Sequence, residues 1–98
     1  MLGISLKITY TDGYYCGQMN SRGQMHGVGV YRWQNGDSYQ GDWFNDRFQG
    51  FGVYHWAVSN ETYGGELVND KAEGYGIRLC GDGRIEDGQW NNGQYVGI

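Results

Sequence analysis

The sequence repeats itself, and this repetition limits the folds open to the chain more than any other feature. Three tyrosines, each opening the pattern Y-x-G, are spaced 24 residues apart: Tyr15, Tyr39 and Tyr63. A G-x-G motif follows the glycine of each Y-x-G after 10, 9 and 9 residues, starting at Gly27, Gly50 and Gly74. A fourth unit, EDGQW, begins at Glu86, with glutamate in place of tyrosine. Such a period is typical of folds in which each copy is a small unit that stacks on its neighbours.

Each unit is predicted to form one β-hairpin. Two single-residue insertions interrupt the 23-residue period, in MNSRGQMHG and in AVSNET. An insertion within a strand would turn every following side chain to the other face, so we place both insertions in turns. NG and DG dipeptides favour tight hairpin turns, and no stretch has the apolar spacing of a helix. The predicted strands are 2–10, 15–19, 28–33, 39–44, 51–56, 63–68, 75–79 and 86–90.

Glycine and aromatic residues alternate along these strands. The chain has 19 glycines, four Trp, nine Tyr, three Phe and no proline, whereas disordered glycine-rich chains are poor in aromatic residues. A glycine between two large rings leaves a gap over which a ring from an adjacent strand can lie. We expect the first glycine of each G-x-G, at Gly27, Gly50 and Gly74, to form a tight turn with positive φ. The second glycine is expected to make room for a ring.

The segment YQGDWFNDRFQGFGVYHW resembles the MORN repeat, whose pattern is Y-x-G-x-W, then G-x-G, then aromatic residues and an NG turn. The segments beginning YCGQM, YGGEL and EDGQW are similar, so the resemblance covers about residues 15–98. It implies an all-β fold, an elongated and twisted antiparallel sheet of stacked hairpins with an aromatic-lined groove along one side. The expected organisation is one domain over residues 1–98. Its parts are a preceding half-repeat at 1–14, repeats at 15–38, 39–62 and 63–85, and a partial repeat at 86–98.

The third and fourth units depart from this pattern. Arg78 and Cys80 stand where the earlier units have aromatic residues, Leu67 replaces tryptophan, and Glu86 replaces tyrosine. The aromatic face is therefore expected to fade toward the C-terminus, where either a cap begins or a partner's contact area ends. Because the sequence stops within a G-x-G, we also expect a fragment of a longer protein, or a sheet that pairs end to end.

The resemblance implies an interaction module, and we predict a non-catalytic scaffold that binds a helical or extended peptide along the aromatic row. The predicted contact residues are Tyr31, Trp33, Tyr39, Trp43, Tyr54, Trp56 and Tyr63. The alternative for each of these rings, which is compatible with a groove formed by part of the row, is that it packs on the rings of neighbouring units. A homodimer is a further expected arrangement. The alternatives are association with membrane phospholipid and a regulatory role beside a catalytic domain of a larger enzyme, with carbohydrate or choline binding ranked lower. The expected location is cytoplasmic, with membrane or cytoskeletal association as a variant.

The charge distribution narrows the partner classes. The formal charge of −4 lies entirely in residues 50–98, which hold seven acidic and three basic residues, whereas residues 1–49 are balanced. Without a basic patch, nucleic-acid binding is not expected, and attraction to anionic lipid is weakly supported. Two roles are open for the acidic residues of the second half, a solvated face, which is the commoner role of such charges, and selection of a basic partner: Glu61, Glu66, Asp70, Glu73, Glu86 and Asp87.

The sequence gives little support for catalysis or for a bound metal or cofactor. His26 and His55 are the only histidines, they lie in different units, and no Ser-His-acid or Cys-His arrangement accompanies them. We expect a structural role for His26 at a turn. The Asp- and Asn-rich segments match turns rather than calcium loops. Cys16 and Cys80 are 64 residues apart, which indicates no disulfide framework and suits a reducing compartment. We therefore expect no enzyme activity, no cofactor and no metal.

Overall fold

The computed structural model describes residues 6–98, which form a single open antiparallel sheet of nine strands in chain order. The strands are β1 (Leu6–Tyr10), β2 (Gly13–Met19), β3 (Met25–Trp33), β4 (Ser38–Phe44), β5 (Arg47–Trp56), β6 (Glu61–Val68), β7 (Lys71–Leu79), β8 (Ile85–Asn91) and β9 (Gln94–Gly97). Residues 6–98 contain no helix, and the sheet measures 39 × 25 × 17 Å. The prediction of an all-β antiparallel sheet of stacked hairpins is confirmed.

The hairpin turns lie along two edges of the sheet. Along one edge, three two-residue turns have positive φ at both positions: Asn45–Asp46, Asn69–Asp70 and Asn92–Gly93. This geometry matches the right-handed twist of the flanking strands, and Asn, Asp and Gly adopt it at least cost. The inserted residues of the first and second units both lie in turns, within 20–24 and 57–60, as predicted.

Three strand predictions need correction. The first glycine of each G-x-G does not form a turn but lies inside a strand, with φ of 94° at Gly27, 103° at Gly50 and 69° at Gly74. The register shifts near these positions, so the left-handed glycine forms a β-bulge. Consequently β3, β5 and β7 begin two or three residues before the G-x-G. The last strand, β9, was not predicted, and residues 2–5 of the first predicted strand lie outside the described residues.

A side chain from the neighbouring strand closes each bulge. The residue after Y-x-G accepts a hydrogen bond from the backbone N–H of the middle residue of G-x-G. These bonds join Gln18 to Val28 (2.9 Å), Asp42 to Phe51 (3.0 Å) and Glu66 to Tyr75 (3.1 Å). The polar residue at this position therefore satisfies a backbone donor that the bulge would leave without a ladder partner.

A row of glycines crosses the sheet, one from each strand between β2 and β8: Gly17, Gly29, Gly41, Gly52, Gly65, Gly76 and Gly88. The rings of three tyrosines lie over this row. A Cβ at Gly29, Gly52 or Gly76 would collide with the ring of Tyr15, Tyr39 or Tyr63, respectively. The prediction that the second glycine makes room for a ring is confirmed. Each of these rings comes from the paired strand of the same hairpin.

The core lies on one face of the sheet, which we call the packed face. Its buried side chains are Tyr15, Tyr31, Tyr39, Trp43, Tyr63, Leu67 and Trp90. The opposite face, which we call the open face, exposes Val28, Phe51, Val53, Tyr75 and Ile77. Within the described part of the chain, no second layer of secondary structure covers this sheet. The tyrosine rings instead lie on the glycine row of the packed face, and with the neighbouring side chains they form the core there.

Candidate functional site

A second row of side chains runs across the packed face beside the glycines. Consecutive strands contribute cross-strand partners to it: Ile8, Tyr15, Tyr31, Tyr39, Tyr54, Tyr63, Arg78 and Glu86. We call this the central row. The sequence pattern predicts a shared face for its aromatic members, and the observed register brings them together.

Burial divides the seven predicted contact residues into two groups. Tyr31, Tyr39, Trp43 and Tyr63 are at most 5% exposed, because each is covered by neighbouring rings. Their rings hold the sheet together and have almost no surface to offer a partner. The other three line the surface of the packed face: Trp33 and Tyr54 are half-buried, and Trp56 is 36% exposed.

These three accessible rings form a continuous aromatic strip with Tyr31. The ring centroids lie 4.6 Å apart for Tyr31 and Trp33, 5.4 Å for Trp33 and Tyr54, and 4.7 Å for Tyr54 and Trp56. Aromatic pairs at such distances stabilise one another beyond the area they bury, so the strip is a preformed surface.

Phe48 is a central ring of the site, and the sequence reasoning did not identify it. Its centroid lies 4.1 Å from that of Tyr39, 5.0 Å from that of Trp43 and 5.8 Å from that of Tyr54. A signal was present in the sequence, because the position two residues before each G-x-G is Met25, Phe48, Ala72 or Tyr95. The repeat predicts that these four side chains occupy equivalent places.

The third repeat leaves a cavity where the second is filled with rings. Leu67 and Ala72 occupy the places of Trp43 and Phe48. A cavity of about 570 Å³ opens there, which we call the repeat-3 cavity, and Tyr54, Trp56 and Trp90 are among its lining residues. A smaller cavity of about 430 Å³ is lined by Trp33, Trp43 and Met25, and it shares Phe48, Tyr54 and Asp70 with the first. The two adjoining cavities form one groove across the packed face.

Ion pairs replace the aromatic strip at the C-terminal end. Arg78 contacts Glu61 at 2.5 Å and Glu86 at 3.9 Å, and Arg84 contacts Glu86 at 3.7 Å and Asp82 at 2.8 Å. We call these five residues the ionic cluster. The Arg78 guanidinium also lies 5.7 Å from the Trp56 ring centroid, which joins the cluster to the aromatic strip. The hydrogen bond from Arg78 is the main reason that the pKa of Glu61 is lowered.

Three carboxylates lie along one side of the groove, from the half-repeat before the first repeat and from the first and second repeats. Asp12 accepts a hydrogen bond from the Tyr31 hydroxyl, Asp37 contacts the Tyr54 hydroxyl at 3.4 Å, and Glu61 accepts from Arg78. Burial is the main cause that raises the pKa of Tyr54 to about 12, with a contribution from the Asp37 charge. Where Arg78 stands in place of tyrosine, a carboxylate acceptor is still present, but it belongs to the longer side chain of Glu61 instead of an aspartate.

The opposite side of the groove carries a second set of carboxylates. Asp46 and Asp70, each the second residue of a two-residue turn, use Oδ1 to accept the backbone N–H of Met25 and Phe48, both at 2.8 Å. These bonds join each turn to the preceding hairpin. His26 takes part in a similar contact, since its Nδ1 accepts the backbone N–H of Asn45 at 3.3 Å.

Other reactive groups are scattered. His55 contacts the Thr62 hydroxyl at 3.0 Å, Cys16 is exposed, and Cys80 is buried, with both cysteines free. In the part of the chain from residue 6 onward, no group of three or more His, Cys, Asp and Glu residues is arranged to hold a metal ion. The same residues include no helix with the length and hydropathy needed to cross a membrane.

Comparisons with known proteins give a family and one relative. The family model described as MORN repeat matches residues 15–38, 39–60, 63–83 and 87–98. The inactive protein tyrosine kinase pTKL of Plasmodium falciparum (isolate 3D7) is 34% identical over 47 residues. The matched segment is 48% of this chain and 3% of that protein, so the similarity concerns a small part of the relative. Since four matches in register cover most of the chain, this protein belongs to the MORN repeat family of protein- and membrane-interaction modules.

Proposed function

We propose that the chain is a non-catalytic module that binds a peptide segment of a partner protein along the groove. The observation that carries this proposal is the strip of Trp33, Tyr54 and Trp56, whose rings are accessible on a face that is otherwise packed. Trp and Tyr dominate binding surfaces because they bury a large area and keep a polar end. Tyr31, whose ring centroid lies 4.6 Å from that of Trp33, and Phe48, 5.8 Å from Tyr54, join the strip to the buried rings.

The charges beside the strip favour a basic partner. The smaller cavity is lined by three carboxylates, of Asp12, Asp46 and Asp70, and among the described residues no basic side chain lines it. Complementary charge raises the association rate and selects among partners more than it adds affinity. A peptide that carries Lys or Arg beside apolar residues therefore suits this groove better than an acidic one.

The dimensions of the groove suit a short segment. It crosses from β3 to β8, five strand spacings, which is about 24 Å. That length corresponds to about seven residues of extended peptide or about 16 residues of helix. Both forms recur in peptide recognition, the extended form through pockets and the helix through a row of apolar anchors.

The relative supports a role as one part of a longer protein. Its matched segment is 3% of a protein that is named as an inactive kinase, so the similar segment lies there within a much larger chain. We infer that this module recruits partners and leaves catalysis to other proteins or domains. Association with a phospholipid surface is the alternative function that the experiment below separates.

The direct test uses the double variant Trp33→Ala/Trp56→Ala. Twelve-residue peptides selected on the immobilised wild-type chain are measured by isothermal titration calorimetry, and circular dichroism verifies that each variant is folded. We expect selected peptides to contain basic and apolar residues and to lose at least tenfold in affinity for the variant. The control variant is Phe51→Ala/Tyr75→Ala on the open face, for which affinity stays within twofold.

Three results contradict the proposal: no peptide is selected, the folded Trp33→Ala/Trp56→Ala variant binds as well as wild type, or the open-face control loses as much affinity. Sedimentation with vesicles of phosphatidylcholine, with and without phosphatidylserine, tests the lipid alternative. Vesicle binding without peptide binding assigns the chain to membranes instead.

A further inference from the structure

We propose that the repeat-3 cavity receives one large apolar side chain of the partner peptide, and that a basic residue next to it pairs with the carboxylate of Asp70, with Asp46 adding a second negative charge beyond it. This inference rests on the proposed function and specifies the chemistry of the partner at one place in the groove. Its basis is a difference between equivalent repeats, together with the charges that surround the cavity.

The cavity exists because the third repeat lacks two rings that its neighbours have. In the second repeat, the Phe48 and Trp43 rings fill the space above Tyr39, with centroids 4.1 Å and 5.0 Å from it. In the third repeat, Ala72 and Leu67 stand in the equivalent places beside Tyr63. The backbone register around them is the same, so the two repeats differ here in their side chains. Trp90 still covers Tyr63, with ring centroids 5.2 Å apart, and the cavity has Leu67 and Ala72 among its lining residues.

A tryptophan at this position normally also makes a polar contact. The Trp43 and Trp90 indole N–H groups donate to the carbonyl oxygens of Gly29 and Gly76, both at 3.1 Å. Leu67 has no N–H to donate to the equivalent carbonyl of Gly52. The third repeat has therefore lost a filling residue together with its hydrogen bond.

The cavity suits an apolar side chain from outside. Its walls are formed by aromatic residues of the neighbouring repeats: Phe48, Tyr54, Trp56 and Trp90. Its volume of about 570 Å³ falls within the usual range for ligand pockets, and Leu67 is among its buried lining residues. An aromatic or leucine-sized side chain that enters would contact rings of two repeats and remove their surfaces from water.

The charges at the cavity favour a neighbouring basic residue. At one end, Glu61 and Arg78 pair with each other, so this end has little net charge. At the other end lie Asp70 and, in the adjoining cavity, Asp46. Both use Oδ1 for a backbone N–H, and no donor among residues 6–98 reaches either Oδ2 atom. Lys71 also lines the repeat-3 cavity, and Arg47 donates to Asn69 beside Asp70. The charged side chains that line the adjoining cavity, however, are all carboxylates, of Asp12, Asp46 and Asp70, so a basic residue is favoured on that side.

The experiment uses three capped dipeptides as probes: N-acetyl-Phe-Arg-amide, N-acetyl-Phe-Glu-amide and N-acetyl-Ala-Arg-amide. Binding is followed by NMR through the Ala72 methyl signal and the indole N–H signals of Trp56 and Trp90. We expect the Phe-Arg probe to shift these signals, the Phe-Glu probe to bind at least fivefold more weakly, and the Ala-Arg probe at least tenfold more weakly.

Two variants locate the contacts. Ala72→Phe fills the cavity and should weaken binding of the Phe-Arg probe at least tenfold, whereas Val68→Phe, on the open face, should leave it unchanged. Asp46→Asn/Asp70→Asn keeps the oxygens that accept backbone N–H groups but removes the charge, so it should equalise the Phe-Arg and Phe-Glu probes. This second variant keeps the test decisive if Ala72→Phe does not fold.

Failure of this inference is distinguishable from failure of the proposed function. The inference is overturned if the Phe-Arg probe shifts no cavity signal, if folded Ala72→Phe binds it as wild type does, or if the Asn double variant still discriminates between probes. If selected peptides nevertheless require Trp33 and Trp56, the groove binds peptides but the repeat-3 cavity is not its anchor site.

Discussion

The two halves of the sheet share a backbone frame but fill its packed face differently. In the aromatic half (15–60) and in the ionic half (61–98), the tyrosine hydroxyl of Y-x-G donates to the carbonyl three residues later. The bond is 2.8 Å long from Tyr39 to Asp42 and 2.7 Å from Tyr63 to Glu66. The frame therefore depends on tyrosine, glycine and the bulge acceptor, whereas the rest of the packed face is free to change.

The filling of that face differs in size and in polarity. The aromatic half uses rings at Trp43, Phe48 and Tyr54, whereas the ionic half has Leu67, Ala72 and Arg78 in the equivalent places. Arg78 reaches the same carboxylate position as Tyr54, and Glu86 pairs with it across the strands. A repeat can therefore exchange stacked rings for ion pairs without changing its strand register, and the smaller Leu67 and Ala72 leave a cavity.

The largest expected effect tests the shared frame. Gly52→Ala and Gly76→Ala should each destabilise the protein by about 3 kcal/mol, because a methyl group at either position collides with a buried tyrosine ring. Gly64→Ala is the matched control, since its Cβ would meet only the Val53 side chain at 3.8 Å. Urea denaturation followed by tryptophan fluorescence measures all three. If Gly76→Ala is as mild as Gly64→Ala, the ionic half does not share the frame.

A smaller effect tests the ring filling of the aromatic half. Phe48→Ala should cost about 2 kcal/mol, because the half-buried ring contacts Tyr39, Trp43 and Tyr54. The control is Phe51→Ala on the open face, where the side chain is 63% exposed and the expected cost is below about 0.5 kcal/mol. Equal costs for the two variants would show that the packed face contributes no more than the open face.

The ionic half should lose stability in acid. Because Arg78 lowers the pKa of Glu61, their contact stabilises the fold fully above the pKa of Glu61 in the unfolded chain. This contribution disappears as pH falls through the lower pKa of the folded state. Arg78→Met should destabilise the protein less than Phe48→Ala does at neutral pH, and it should remove part of the acid sensitivity.

Thermal unfolding from pH 2 to pH 7 measures this difference between wild type and Arg78→Met. In high salt the difference should shrink, since screening weakens exposed ion pairs. Parallel curves for the two proteins at every pH would show that the pair makes no contribution.

The last test is made at alkaline pH and involves tyrosines of both halves. Burial raises the pKa of Tyr15, Tyr54 and Tyr63 to about 12, above the usual tyrosine value of 10. The folded state therefore keeps protons that the unfolded chain loses, and stability should fall as pH rises from 10 to 12. Tyr54→Phe should make this decline shallower, measured by urea denaturation at each pH. An unchanged decline in the variant contradicts the assignment of Tyr54.

The strand register was predictable because the repeat period fixes it. Spacing alone placed Tyr39 and Tyr54 on one face, and it placed the second glycine of each G-x-G beneath a ring. The first glycine was placed wrongly because positive φ serves a turn and a bulge equally well, and the sequence does not distinguish them. The strand β9 follows an NG turn, but its four residues, QYVG, carry almost no alternation of their own.

The candidate site was harder to predict than the fold. Alternation shows which residues share a face, but it does not show which rings cover others, so buried Tyr39 and accessible Trp56 carry the same signal in the sequence. The cavity arises from the combined loss of rings at Leu67 and Ala72. Only Leu67 stands at a position that the repeat pattern defines. The importance of Ala72 follows from the structure, in which its equivalent Phe48 packs against Tyr39 and Trp43.

The central claim is that the third repeat has the frame of the second but lacks its rings. The most direct measurement is the free energy of unfolding of the double variant Leu67→Trp/Ala72→Phe, compared with wild type. We expect an increase of about 1 kcal/mol, because the new rings fill the repeat-3 cavity and the introduced indole can donate to the Gly52 carbonyl. A decrease of about 1 kcal/mol or more in a folded variant would show that the third repeat cannot hold the rings that the second holds, and that the two repeats do not share one frame.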